Sequence, residues 1–583
     1  MKKTNREMTP MKWFMPFLWV YRWRMFFGLV LVTILVAAAL VSPKISGMIV
    51  DDVIQGGHRD MLMELIGLLV LAIIVRGICR IASQVLFETS SQGVLYNMRA
   101  EVYRKLLYED FTFYNKNRTG DLMGRQTGDM DAIRHFVAYV IYIVYENILY
   151  FVVALVMIFT IHVKVAAAMV CVLPFTAAAT YLQFKQVHPA FKNCRSAFSR
   201  LNTLVQENIS GNRVVKAFAK EDYEMEKFAV ENDNYREAEL GATRIWRRFV
   251  PVFEVLSQLL NVVLMIFGGI MVIRGEMTLG GLVEINGYLW MLTMPLRMAG
   301  WWINDIQRFT TSVEKIYDTY SAEPQVANPV QPVDHSRVEG GVEFRHVSYK
   351  VDGEQVLKDV SFRVEPGQTV GILGTTGSGK TTLMNLLCRF YDVTEGEVLV
   401  DGTDVRQWNL QQLRSGIGVA MQDVFLFSDT IAGNISYGAP DKTMEDIRRV
   451  AVMADADGFI RNMPQGYETV VGERGVGLSG GQKQRISLAR ALIKDPSILI
   501  LDDTTSAVDM ETEAYIQEEL NKIAHRYTTF VIAYRISSLR HADQILVVDE
   551  GRIIEHGTHE ELCQAGGYYA SVYAHQYMTG EEE

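Results

Sequence analysis

Six stretches of the chain are apolar over most of their length, at roughly residues 25–50, 61–86, 137–161, 163–184, 249–273 and 277–303. Each is near the ~20 residues that a helix needs to cross a bilayer. Their spacing predicts three hairpins. Spans one and two are joined by the short polar segment 51–60, three and four by the residues around His162 and Lys164, and five and six by Arg274-Gly275-Glu276. The connections 87–136 and 185–248 are long, polar and helical in periodicity, so spans two to five are predicted to run well past the membrane. Lys and Arg are concentrated in those connections and at Lys2, Lys3, Arg6 and Lys12. By the positive-inside rule this puts both termini and both long connections in the cytoplasm.

Ahead of the first span, Trp13, Phe14, Phe17, Leu18, Trp19, Tyr21 and Trp23 mix with Lys12, Arg22 and Arg24 at helical spacing. That pattern suits a helix lying in the membrane interface over residues 1–24, or else the polar start of the first span. Each long connection breaks in its middle, at 113–124 and 208–218, where glycine and asparagine permit a reversal and a short crossing helix. Apolar residues on such distant tips need something to cover them. Within the spans, Glu146, Glu254, Glu284, Arg297 and Asp305 are expected to face a water-filled cavity or one another, because a charge in lipid is costly. Glu254 and Arg297, taken singly, fit an interfacial place equally well. Tyr288, Trp290, Met291, Met294, Met298, Trp301 and Trp302 suit an adaptable apolar cavity or ordinary helix packing.

Prolines 324, 329 and 332 and the Gly340-Gly341 pair end the helical pattern, so residues 319–340 read as a linker. Composition then changes. Residues 1–340 carry 35 Lys+Arg against 31 Asp+Glu, while 341–583 carry 22 against 36, so charges of +4 and −14 make up the total of −10. The acidic second part reads as soluble and argues against nucleic acid as a partner. Cysteines 79, 171, 194, 388 and 563 are odd in number, scattered, and expected to be unpaired packing thiols. No cleavable leader is expected, since the first apolar run lacks a small-residue cleavage site.

The second part carries the chemistry. The apolar run 369–373 reads as a buried strand and 383–388 as a helix. Between them, Gly374-Thr375-Thr376-Gly377-Ser378-Gly379-Lys380-Thr381-Thr382 matches G-x-x-x-x-G-K-[ST]. Glycines let the backbone turn its N–H groups inward, and the helix adds the positive end of its dipole. Lys380 is placed for the β- and γ-phosphates of ATP and Thr381 for Mg²⁺. A second buried strand, 499–503, closes on Asp502-Asp503, which sets Asp502 to hold Mg²⁺ beside Thr381. Residues 342–349 alternate as a strand, and Tyr349 at its end stacks on a base or is a plain strand aromatic.

Between the phosphate loop and Asp502 stands Leu478-Ser479-Gly480-Gly481-Gln482, followed by the helical run 483–490. Here the chain resembles the ATP-binding cassette (ABC) exporters that fuse a six-span membrane domain to one cassette, and the resemblance covers essentially the whole length. It implies that Tyr349 stacks on adenine, that Gln422 senses Mg²⁺ and the membrane domain, and that Asp509 reaches across a dimer. It also implies that Glu473 contacts coupling helices, which belong at the two breaks. Two cassettes would pack head to tail, with Leu478, Ser479, Gly480, Gly481 and Gln482 completing the partner's nucleotide site. The fold class expected is therefore multidomain: an all-α polytopic membrane domain of six long helices over 25–318, then an α/β P-loop nucleotide-binding domain over 341–583.

Two residues depart from the family pattern. Asp503 stands where the family has the glutamate that handles the attacking water, and Tyr534 where it has the switch histidine. Shortening a carboxylate by ~1 Å can cost on the order of 10²-fold in rate. A phenol, with a reference pKa near ~10, carries no positive charge at neutral pH. The pair predicts a site that holds Mg-ATP and hydrolyses it slowly. A second half-transporter is then expected to form a heterodimer with this chain and to export small hydrophobic drugs or lipid-like compounds from a bacterial inner membrane. The rival expectations are a homodimeric lipid flippase, which would retain the glutamate and histidine, and an ATP-gated regulator or channel.

Overall fold

The computed structural model describes residues 8–333, 337–472, 475–523 and 525–577. It contains two compact units, Met1–Tyr108 with Asn117–Ala322, and Glu109–Lys116 with Glu323–Glu583.

The first unit is helical. A short α1 (Pro10–Trp19) turns at Val20-Tyr21 into α2 (Arg22–Gln55), and α3 (Met61–Leu107) returns antiparallel to it. After α4 (Phe111–Lys116), which belongs to the second unit, come α5 (Thr119–Ile161), α6 (Val163–Ser210), the tip helix α7 (Asn212–Ala217), α8 (Glu221–Ile273) and α9 (Leu279–Ser321). Short helices thus occupy both predicted breaks. Pro10 at the first turn of α1 leaves no helical hydrogen bond unmade. Trp13 and Phe14 of α1 are buried against α9, with Trp13 5.1 Å from Tyr320 and Phe14 5.2 Å from Phe309.

Among the described residues five helices, α2, α3, α5, α6 and α8, are long and apolar enough to cross a membrane. The expected sixth, α9, has 43 residues but falls short in mean hydropathy, because Glu284, Asn286, four glycines and Pro295 dilute its apolar positions. These same residues suit a helix surrounded by protein. Ile285, Tyr288, Met291 and Leu292 are fully buried in a core with Leu35, Ala154, Ile158 and Leu260. A side chain at Gly287 would come within 2.6 Å of Pro43, so this glycine lets α9 touch α2. Tyr288 and Met291 therefore pack, whereas Trp290, Met294 and Trp301 are exposed. Among the ionisable residues, Glu146 accepts two hydrogen bonds from Arg80, at 2.5 and 2.6 Å. Glu284 accepts one from Tyr288 at 3.0 Å, and Asp305 lies 3.7 Å from His135. Burying Glu146 without Arg80 would leave an uncompensated charge in an apolar core.

The second unit has two sheets. One is antiparallel, in the order β2-β1-β4-β5, from β1 (Val342–Val351), β2 (Glu354–Val364), β4 (Glu395–Val400) and β5 (Thr403–Asp404). The other runs β10-β9-β3-β8-β7-β6, from β3 (Thr369–Gly374), β6 (Ile417–Ala420), β7 (Ile498–Asp502), β8 (Thr528–Ile532), β9 (Gln544–Asp549) and β10 (Arg552–Gly557). Strands β6, β7, β8, β3 and β9 are parallel, and β10 alone is antiparallel. Their continuous apolar runs fit a sheet covered on both faces. The phosphate-loop helix α10 (Lys380–Leu387) buries Leu383, Leu386 and Leu387 between the sheets.

Helix α4 is part of this unit. Its Phe111 ring lies 4.6 Å from that of Phe390, and Asn115 Nδ2 donates to the Tyr391 hydroxyl at 2.9 Å. The Asp110 carboxylate accepts from the backbone N–H groups of Gln325 and Val326. At the other tip, Val214 and Phe218 are 60% and 72% exposed.

Candidate functional site

Strand β3 delivers the chain into a loop that only glycine can shape. Gly377 and Gly379 have φ of +83° and +106°, and a side chain at Gly374 would sit 2.1 Å from the Val548 carbonyl. Thr375, Thr376 and Gly377 are exposed at the crest, while Ser378, Gly379 and Lys380 are buried. Ser378 Oγ is buried without a hydrogen-bond partner among the described residues. Lys380 Nζ donates to the carbonyls of Gly374 and Thr375, at 2.9 and 2.7 Å, and lies 4.8 Å from the ring centre of Tyr534. Burial lowers the Lys380 pKa from its ordinary value, partly offset by the charges of Asp502 and Asp503.

Parallel pairing sets β7 beside β8, which in turn pairs with β3, and so brings Asp502 to the phosphate loop. Thr381 Oγ1, at the start of α10, donates to Asp502 Oδ2 at 2.9 Å. Burial raises the Asp502 pKa, the Thr381 bond opposes this, and the neighbouring Asp503 adds to the rise. Asp503 lies just past the strand with φ of +51°, and its N–H donates to the Ile532 carbonyl at 2.9 Å. Gln422 Nε2 stands 3.5 Å from Asp503 Oδ2, so one predicted departure adjoins the predicted Mg²⁺ group, while the other, Tyr534, adjoins Lys380. Thr382 follows Thr381 in the first turn of α10 and is half-buried.

Tyr349 on β1 is half-buried, with its ring 5.7 Å from Tyr391 and its hydroxyl pushed up to about 12 by burial. Tyr391 thus stands between Tyr349 and Asn115. Sequence reasoning missed it, since nothing local marks an aromatic after α10 as a bridge.

Leu478 leads into α11 (Gly480–Leu492), which Ser479 caps in both directions. Its hydroxyl accepts from Gln482 N–H at 3.3 Å, and Gln482 Oε1 accepts from Ser479 N–H at 2.9 Å. A side chain at Gly481 would come within 2.8 Å of the Ala507 carbonyl, so the loop lies flat on residues 506–508. Gln484, also missed, fastens this contact by donating to the Asp503 carbonyl and accepting from Ala507 N–H. Asp509 caps α12 (Met510–Lys522) through Thr512 N–H at 2.9 Å, which lowers its pKa. A further missed residue, Glu513, is buried and accepts from Arg535 at 2.6 Å, Ser538 at 2.6 Å and Thr505 at 3.3 Å. It thereby holds the Tyr534 loop to α12. Glu473 lies outside the described residues.

Residues 25–296 match the ABC transporter transmembrane region and residues 357–506 the ABC transporter family. An ABC transporter ATP-binding protein of Bacillus subtilis named YknU, itself described as uncharacterised, is 38% identical over 561 residues, 96% of each chain. The chain belongs to the ABC transporters. A multidrug resistance-like ATP-binding protein of Escherichia coli, MdlA, is 34% identical over 97% of both chains. A solved bacterial Atm1-family ABC exporter with ATP bound superposes with a TM-score of 0.82 at 27% identity, covering 96% of this chain and 99% of that one. The molecule is thus a multi-pass ABC exporter half-transporter, a helical membrane domain fused to an ATP-binding cassette.

The observed loop fits ATP. Positive φ at Gly377 and Gly379, the unpartnered Ser378 hydroxyl and the buried Lys380 ammonium are donors with no competing acid side chain on the loop itself.

Proposed function

We propose that this ABC exporter is one half of a heterodimer in a bacterial inner membrane, expelling hydrophobic drugs or lipid-like compounds. In this reading its own nucleotide site holds Mg-ATP and hydrolyses it slowly, while its signature loop, 478–482, completes the fast site of a second half-transporter. The supporting observation is the convergence of Asp503 and Tyr534 on an otherwise complete site. Lys380, Thr381 and Asp502 stand in binding positions, Gln422 adjoins Asp503, and the Tyr534 ring covers Lys380.

The division of labour follows from the chemistry. Residues 374–382 supply N–H groups, hydroxyls and one ammonium for the phosphates, and Tyr349 supplies a ring face for adenine. Thr381, Gln422 and Asp502 would hold Mg²⁺, which would offset phosphate charge. The shorter Asp503 side chain places its carboxylate back from the attacking water, and Tyr534 offers a hydroxyl in place of a titratable imidazole. Asp509 serves the dimer face. Exposed Val214 and Phe218 on α7 support a partner chain, because they are 60% and 72% exposed, whereas Phe111 on α4 at the equivalent tip is 43% exposed and lies against Phe390.

We assign residues 1–24 to an interfacial helix, 25–318 to six spans with α9 as the protein-surrounded sixth, 319–340 to the linker and 341–583 to the cassette, with both termini cytoplasmic. ATP closes the cassette pair, the tip helices carry that closure to the spans, and hydrolysis at the partner's site resets them. The test is to purify the full-length chain alone and with its co-purifying partner, and to measure oligomeric state and ATPase. The expected result is weak ATPase alone and strong ATPase in a mixed dimer. A stable homodimer with robust ATPase overturns the reading.

A further inference from the structure

A cavity of about 920 Å³ in the membrane unit opens between α5, α6 and α9 and is lined by opposing sets of charges. Arg125, Arg195, Arg308 and Lys315 face it, with His188, against only Asp121 and Asp129. Two of the cations are committed: Arg125 donates to Thr319 at 2.6 Å, and Lys315 lies 3.8 Å from Asp129, which also accepts from Ser312. Arg195 and Arg308 make no hydrogen bond or ion pair among the described residues; Asp131 attracts Arg308 at a distance but is itself hydrogen-bonded by Arg134 at 2.8 Å. A cavity walled by unpaired guanidinium groups from two helices selects a ligand that brings its own negative charge.

The rest of that ligand is written along the same two helices. At 100° per residue, Trp290, Met294, Trp301, Arg308 and Lys315 fall on one face of α9, and Tyr181, Phe184, His188 and Arg195 on one face of α6. Trp290, Met294, Trp301 and Tyr181 are exposed on those faces at 44%, 45%, 58% and 65%. Counting ~1.5 Å per residue from the helix starts puts Met294 and Tyr181 ~20–30 Å in, and Arg195 and Arg308 ~45 Å in. A ~30 Å hydrocarbon core therefore ends between the aromatic positions and the arginines. Both faces change from aromatic to basic at the inner membrane boundary.

We propose that this cavity binds the anionic head of an amphipathic substrate, a carboxylate, sulfonate or phosphate held by Arg195 and Arg308, whose apolar body lies along the Tyr181 and Trp301 faces. The proposal rests on the proposed efflux of hydrophobic or lipid-like compounds and narrows that substrate to amphipathic anions. An anionic lipid headgroup and a free organic anion share this chemistry.

The test uses the full-length exporter in detergent and the fluorescent anion 11-(dansylamino)undecanoate, with its uncharged amide as control. Saturable binding of the anion is expected, weaker by tenfold or more in R195Q/R308Q and within threefold of wild type in R195K/R308K, with fluorescent-ATP binding unchanged in all three. Displacement by phosphatidylglycerol but not citrate supports a lipid headgroup, and displacement by citrate supports a soluble anion. Equal binding of the amide, an unchanged affinity in R195Q/R308Q, or displacement by neither competitor overturns the proposal. ATP-driven uptake of the dye into inverted vesicles that carry the chain together with its co-purifying partner is scored separately. Arginine-dependent binding without uptake overturns the proposed efflux of drug- or lipid-like compounds alone, and uptake with arginine-independent binding overturns this site alone.

Discussion

The ammonium of Lys380 lies 4.8 Å from the ring centre of Tyr534. A cation over an aromatic face gains ~0.5–2 kcal/mol depending on desolvation, and Lys380 is buried. The tyrosine therefore steadies the lysine that grips the phosphates and at the same time removes the imidazole that would assist hydrolysis. Restoring both family residues, in D503E/Y534H, is expected to raise ATPase at this site by on the order of 10²-fold while weakening ATP affinity a few-fold. Single-turnover hydrolysis in the dimer, with the partner's phosphate-loop lysine replaced, reads this site alone.

Glu513 holds Arg535, Ser538 and Thr505 from a buried position, so its loss frees the Tyr534 loop. Arg535 is half-exposed, which moderates the cost below that of a fully buried pair. Glu513→Ala is expected to destabilise the protein by about 2 kcal/mol and to weaken ATP binding, whereas Glu513→Gln keeps the Ser538 contact and loses less. Denaturant unfolding and ATP titration of the two variants check the order.

Tyr391 receives a hydrogen bond from Asn115 and faces the ring of Tyr349. Tyr391→Phe removes only the hydroxyl, at about 1 kcal/mol, and is expected to leave ATP affinity within twofold. It should lower transport per ATP hydrolysed, because α4 then binds its own cassette less tightly. Uptake and phosphate release measured on the same vesicles give the ratio, and Phe111→Ala should lower it further.

Acid titration tests the burial of Asp502. Its folded pKa is raised above the unfolded value, so ionisation costs the folded state, and that cost is present above the folded pKa and absent below the unfolded one. Asp502→Asn should therefore raise the melting temperature of the nucleotide-free protein at pH 7.5. The advantage should shrink to nothing as pH falls through the raised Asp502 pKa. Mg-ATP should stabilise wild type and not the variant. Melting curves across pH, with and without Mg-ATP, read both.

The phosphate loop, the Asp502 strand and the Ser479 helix start were legible because each is set by neighbours in sequence: glycines, an apolar run, a capping residue. Residues that act across the fold were not. Asn115 meets Tyr391 from 276 positions away and Arg80 meets Glu146 from 66, and no periodicity announces either pairing. The apolar run 277–303 reads as a span like the others. Its glycines, Glu284 and Pro295 suit burial among helices, so its mean hydropathy falls below theirs. Asp503 and Tyr534 stood out only against a family pattern, and their meeting with Gln422 and Lys380 needed the sheet order to bring β7 and β8 beside β3.

Residues Glu109–Lys116 leave the ribosome well before Glu323–Glu583, the remainder of the unit in which they pack. At ~5–20 residues per second the delay is roughly 10–40 s, during which most of the membrane helices are made. Until the strand-bearing part emerges, Phe111 has no Phe390 to lie on. Until α4 is correctly threaded, Phe390, Tyr391 and the N–H groups of Gln325 and Val326 lack their partners. A nascent molecule whose hairpins insert in the wrong order would carry an uncovered aromatic patch on its cassette, the kind of surface that chaperones and proteases recognise. The arrangement makes membrane insertion a condition for finishing the soluble part, and so a built-in inspection step during biogenesis.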